Sequence, residues 1–149
     1  VIDARVALER GRVENSAGRP ELAIGPFTRA AESARSAGAV FLQVDALHML
    51  AIADPERSEH WTTTAIDLAT GADERTRRWL VALWNNRGWS RFEADDIAGA
   101  VAAFEQAVAW ADRVGTASQQ QYAREALTEA GRARRPQQSG STGDQPADG

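Results

Sequence analysis

The chain predicts an all-α fold, a stack of helical hairpins, on three observations. The first is an internal repeat: Gly11 and Gly88, Ala23 and Ala100, Phe27 and Phe104, and Ala30 and Ala107 each stand 77 residues apart. The second is a set of breakers at helix-length intervals, Gly18-Arg19-Pro20, Gly38, Asp54-Pro55, Gly71 and Gly115, because Gly and Pro mark where helices end and begin. The third is periodicity. Ile97, Val101, Phe104, Val108 and Ala111 recur at the spacing that keeps apolar side chains on one helical face.

These signals place helices at 2–16, 20–37, 40–53, 56–70, 73–93, 97–114 and 117–130. Asp54 reads as an N-cap with Pro55 in the first helical position. The pairs Asp73-Glu74 and Asp95-Asp96 stand at helix starts, where capping and the helix dipole favour negative charge. An offset of 77 is too long for one hairpin and suits two. A degenerate copy is therefore expected in between, closed by Ala65-Ile66-Asp67-Leu68, 35 residues after Ala30 and 42 before Ala107. The surplus falls between Leu68 and Trp84, so the first helix of the third hairpin should start early, near Asp73.

The seventh helix, QQQYAREALTEAGR, lacks a second helix and is expected to cover the apolar side of the last hairpin, as the end of a stacked array requires. Residues 1–135 then form one domain, with hairpins at 2–37, 40–70 and 73–114 and the cap at 117–131. The remainder, 136–149, is rich in Pro, Gly, Ser, Gln and Asp without a large apolar residue. It cannot offset its ordering entropy and is expected to be disordered.

Within each outer copy the small residues let two helices approach closely, and the Phe fills the space between them. Trp84, Gly88, Ala100, Phe104 and Ala107, and Gly11, Gly18, Ala23, Phe27 and Ala30, resemble the tetratricopeptide repeat, whose W-x2-L-G-x2-Y…A-x3-F…P pattern recurs at about 34 residues. Three features depart from it: Arg10 or Arg87 replaces the usual Leu, Glu14 or Arg91 the usual Tyr, and no Pro closes either unit. The resemblance covers about residues 2–131 and extends, through DALHMLAIA and RRWLVALWNNRGW, to bacterial tetratricopeptide proteins of largely undefined function. It implies a right-handed α–α superhelix of three hairpins plus a C-terminal capping helix, with a concave groove lined by the first helix of each hairpin.

Composition narrows the function classes. A net charge of −4 and a pI near 5.2 argue against a dominant nucleic-acid or anionic-membrane role, which needs a basic surface. Without cysteine there is no thiolate nucleophile, disulfide or thiolate zinc site. No apolar run approaches the roughly 20 residues that span a bilayer, and a cytoplasmic location is the default expectation. All 17 basic residues are Arg, which fits a GC-rich coding sequence such as that of a high-GC bacterium. Val1 reads either as a fragment boundary or as a translated GTG start.

No motif carries catalysis. No Ser lies in a G-x-S-x-G elbow, and neither a P-loop Lys nor a G-x-G-x-x-G turn is present. Asp45, His48 and His60 could be drawn as a metal or acid/base cluster, but with only two His and no HExxH polar contacts between helices explain them better. Arg75, Arg77 and Arg78 sit beside Asp73 and Glu74 and read as a solvated face rather than a nucleic-acid patch.

The expectation is a non-enzymatic scaffold, without cofactor or metal, that binds a peptide or partner protein in the concave groove. The flank that lines the groove in the resembling family maps to Arg5, Leu8, Arg12 and Asn15 in the first hairpin. In the middle one it maps to Gln43 and Leu47, and in the third to Asn85, Trp89 and Glu93. Arg and Asn would supply carboxylate recognition and amide hydrogen bonds to an extended backbone. Trp89 is divided between the groove and packing between repeats, and of Asn85 and Asn86 one amide is expected between helices. Trp84 reads as core, and Trp61, Trp79 and Trp110 as structural. The second reading is a regulatory or self-associating module of a longer signalling or transcription protein.

Overall fold

Helix α1 (Ile2–Ser16) and α2 (Pro20–Ser36) form the first hairpin, α3 (Val40–Ala53) and α4 (Ser58–Thr70) the second. A single turn, α5 (Glu74–Arg77), leads into α6 (Trp79–Glu93), which pairs with α7 (Ile97–Val114), and α8 (Ala117–Gln138) follows. This computed structural model describes the backbone of residues 1–138 and side chains to Arg134; the rest of the predicted tail, 139–149, lies outside the described residues. Consecutive long helices pack as antiparallel pairs throughout.

The repeated Gly and Phe set the spacing inside the outer hairpins. Phe27 and Phe104 are fully buried, and their rings lie where a Cβ on Gly11 or Gly88 would stand. Ala23 and Ala30, like Ala100 and Ala107, flank the rings at no more than 1% exposure. A larger side chain at any of these sites would push the helices apart. The core then runs along the stack through Val44, Leu47, Leu50, Ala65, Ile66, Leu80 and Leu83. It continues where Ala123, Ala126 and Ala130 of α8 pack with Val101, Phe104, Ala107 and Ala111 of α7.

Side-chain caps close the starts of α5, α7 and α8. Asp73 accepts the Thr76 N–H at 2.8 Å and Asp96 the Gly99 N–H at 2.9 Å. Thr116 and Gln119 exchange bonds of 3.2 and 3.0 Å between side chain and backbone at the start of α8, a reciprocal capping box. The turn between α1 and α2 uses Gly18 at φ 75°, and its 77-residue counterpart is Asp95 at φ 63°. The repeat thus preserves a left-handed turn even where the glycine is gone, since Asp is among the few residues that tolerate it.

Three expectations need correction. Asp54 does not cap the fourth helix: Pro55–Arg57 forms a 3-10 turn before α4, and Asp54 Oδ2 instead accepts from the Trp61 indole at 3.1 Å. The expected helix 73–93 breaks at Arg78, where Val81 N–H turns back to the Arg78 carbonyl while the Arg78 side chain bonds the Val114 carbonyl at 3.0 Å. Gly131 does not stop α8, which takes in residues 136–138 previously assigned to the tail; a lone Gly costs a helix only about 1 kcal/mol, and Ala130, Arg132, Ala133 and Arg134 are good helix formers.

The glycine contact is directly testable. Gly88→Ala should destabilise the fold by about 1–3 kcal/mol, the usual cost of overpacking. Gly71→Ala, where the added Cβ meets open space, should not. Urea unfolding followed by circular dichroism separates the two.

Candidate functional site

The first hairpins enclose an open groove of about 750 Å³ between α1, α3 and the α5 turn. Leu8, 3% exposed, forms part of its floor with Leu42 and Phe41, and charged groups stand around it: Arg5, Glu9 and Arg12 from α1, Asp45 from α3, Asp73 at the cap of α5 and Arg75 within it. Phe41 and Arg75 also line a smaller depression with Arg78, Trp79, Ala82 and Gln119. The path therefore crosses the first helices of successive hairpins and reaches the start of α8.

Two of the cations are committed and two are free to act on a ligand. One Arg12 nitrogen reaches both Asp45 carboxylate oxygens, at 3.0 and 2.8 Å, and another reaches Glu9 at 2.5 Å. Partial burial opposes the Arg12 charge, but the Glu9 and Asp45 carboxylates outweigh it and its pKa is raised. Asp45 is itself buried, so this pair ties α1 to α3. Arg78 holds the Val114 carbonyl and approaches Glu74 at 3.4 Å. Arg5 and Arg75 are exposed, and the Arg75 guanidinium lies 4.1 Å over the Phe41 ring.

The residues expected to line one groove separate into distinct places. Arg5, Leu8 and Arg12 line the groove just described. Trp89 and Glu93 line another depression with Ile52, Glu59, Asn86 and Arg87, at the C-terminal end of α3. Asn15, Gln43, Leu47 and Asn85 line neither. Leu47 and Asn85 are 4% and 8% exposed, so they belong to the interior. Trp89 packs edge-on to Phe104 and Phe92, with ring centroids 5.0 and 5.5 Å apart, and is half-buried where it borders that depression. Sequence reasoning missed Phe41 and Arg75, because a continuous helix from Asp73 would have carried Arg75 along the solvent face; the break at Arg78 had no marker in the sequence.

The polar cluster drawn from Asp45, His48 and His60 also resolves. Asp45 faces Arg12, while His60 lies on α4 against Trp61, 4.9 Å between ring centroids. His48 is packed 5.2 Å from the Trp79 ring and 3.5 Å from the Asn86 amide nitrogen. Among the described residues no three His, Asp or Glu side chains gather as a metal site would require.

Burial lowers the His48 pKa; Asp45 pulls it up and Arg12 pushes it down. His48 therefore holds its proton less readily in the folded chain than in the unfolded one, and unfolding takes up protons as pH falls below about 6.5. Its contribution is fully favourable above the ordinary imidazole value of about 6.5 and is lost as pH falls below it through the folded value. The melting temperature should drop more steeply between pH 7 and pH 5 in the native chain than in His48→Gln. Parallel calorimetric slopes would remove His48 from the account.

No family model, curated protein or solved structure matches the chain, and the functional reading rests on the geometry of its own residues.

Proposed function

We propose that the chain is a non-enzymatic scaffold of the tetratricopeptide type, a right-handed superhelix working in the cytoplasm, that holds an extended peptide segment of a partner protein. The observation that carries this reading is the groove between α1, α3 and α5, with an apolar floor of Leu8, Leu42 and Phe41 and the uncommitted cations Arg5 and Arg75. An aliphatic side chain fits the floor, and a carboxylate beside it would meet a guanidinium. Charge-assisted bonds from Arg to a carboxylate are among the stronger polar contacts available to such a site. The Arg12–Asp45 pair keeps the two first helices at a fixed separation and so pre-forms the groove, which lowers the ordering cost of binding.

This assigns the roles of the candidates differently. Arg12→Glu would set three carboxylates together at Glu9, Asp45 and the new side chain, and Trp89→Ala would open a space beside Phe104. Both would disturb the fold before they tested recognition. Arg5 and Arg75 are the proper probes because they are exposed and hold no carboxylate.

A random peptide library displayed on phage and selected on the immobilised chain should enrich sequences with an acidic residue next to an aliphatic one. The double change Arg5→Glu and Arg75→Glu should weaken those peptides at least about tenfold, roughly 1.4 kcal/mol, with the helical circular dichroism unaltered. Undiminished binding to the double variant would refute the groove.

A further inference from the structure

The exposed apolar side chains of the molecule are concentrated at one end. Of the seven large hydrophobic residues exposed among the described residues, five are Val1, Ile2, Val6, Val13 and Leu22. Val6, Val13 and Leu22 line a shallow, mainly apolar groove of about 710 Å³ on the outer face of the first hairpin, with Pro26 and the charged residues Arg5, Glu9, Arg10 and Glu14 at its edges. This face is distinct from the peptide groove, although Arg5 and Glu9 border both.

The internal repeat shows what kind of element fits here. The positions 77 residues on from Val6, Arg10 and Pro26 are Leu83, Arg87 and Ala103. Leu83 is fully buried and Ala103 is 1% exposed, while Arg87, 9% exposed, reaches across to α4. There it donates to Thr63 at 2.6 Å and lies 3.3 Å from Glu59. In the third hairpin the face therefore meets an antiparallel helix that presents an acidic residue to the arginine. In the first hairpin Val6 and Arg10, at the same positions, are exposed, and Pro26 is half-buried.

Helix α1 presents an apolar stripe with charged residues on both of its edges. At about 100° per residue, Ile2, Val6 and Val13 fall within an arc of about 40°. Arg5 and Glu9 border the arc on one side, Asp3 and Arg10 on the other; Asp3 and Arg10 also share the crease toward Arg29 of α2. When two identical helices pack antiparallel about a two-fold axis, residues of the same flank meet. With the axis beside Val6 and Ala7, Val6 meets its symmetry mate and Ile2 approaches Val13 of the second copy. The same register sets Arg5 opposite Glu9 and Asp3 opposite Arg10. Asp3 with Arg10 and Arg5 with Glu9 then face their opposites, twice over by symmetry, while Glu14 on the same flank is held by Arg19 at 2.7 Å and Glu9 keeps its bond to Arg12.

We infer that the chain forms a two-fold homodimer through α1, with Ile2, Val6 and Val13 at its centre and the Asp3–Arg10 and Arg5–Glu9 pairs between copies. Sedimentation equilibrium at concentrations on the order of 100 μM should give two chains per particle. Val6→Glu, on an exposed site, should give one chain with unchanged helical circular dichroism. Arg10→Glu should weaken the dimer at least about tenfold, because it sets two acidic groups together, and the double change Asp3→Arg with Arg10→Glu should restore it. The Asp3–Arg10 pair lies away from the peptide groove, so loss of the dimer and loss of peptide binding are separate results. A monomer at every concentration, a dimer indifferent to Val6→Glu, or a double variant no better than Arg10→Glu would each overturn the inference, the first leaving the face to another occupant.

Discussion

The contact on which this structure depends is a phenylalanine ring laid on a glycine. Gly11 beneath Phe27 and Gly88 beneath Phe104 let the two helices of a hairpin approach until a Cβ no longer fits. Close approach buries the ring completely and brings flanking alanines into contact, where many weak dispersion contacts add up. The faces of each first helix turned away from this contact are the ones available for the next hairpin and for the open groove.

The outer hairpins were legible in the sequence because their determinants are local and repeated. Gly, Ala and Phe at fixed spacing specify the contact wherever they occur, and the 77-residue offset exposes the pattern. The middle hairpin lacks the Gly–Phe pair, so its helices were placed from breakers alone. Even so, only the start of α4 shifted, from 56 to Ser58, as Pro55–Arg57 wound into a 3-10 turn. The break at Arg78 was not legible. It accompanies a bond from the Arg78 side chain to Val114, 36 residues away, and no local propensity encodes a contact of that range.

The candidate site was legible only in part, for a related reason. Periodicity says which residues share a helical face, but not how much of that face the neighbouring helix covers. Arg5 and Arg12 border the open groove, on a helix that packs against α2 and touches α3. Leu47 and Asn85 sit farther inside, where helices on both sides close over the same register, and both are buried. Asp45 was read as a polar contact between helices, and its bond to Arg12 shows the contact to be the brace of the groove wall. The brace explains why an arginine that looks available for recognition is already engaged.

The Arg that replaces the usual Leu in both outer copies illustrates how one substitution can acquire two meanings from its surroundings. At Arg87 it lies between α6 and α4, nearly buried, with Glu59 and Thr63 as partners and the Trp84 ring 5.1 Å away. An unpaired guanidinium at that depth would cost several kcal/mol, so Glu59 and Thr63 are part of the same device as the arginine. At Arg10 the residue is exposed, and no such partner is supplied by α2 or α3. The position in the repeat is equivalent, each arginine preceding the glycine of the 77-residue offset; among the described residues a helix lies across the face only at Arg87. A leucine at both positions would have served burial in the third hairpin and left a larger apolar surface on the first. Arginine satisfies both settings, because its aliphatic stem packs when covered and its charge remains solvated when it is not.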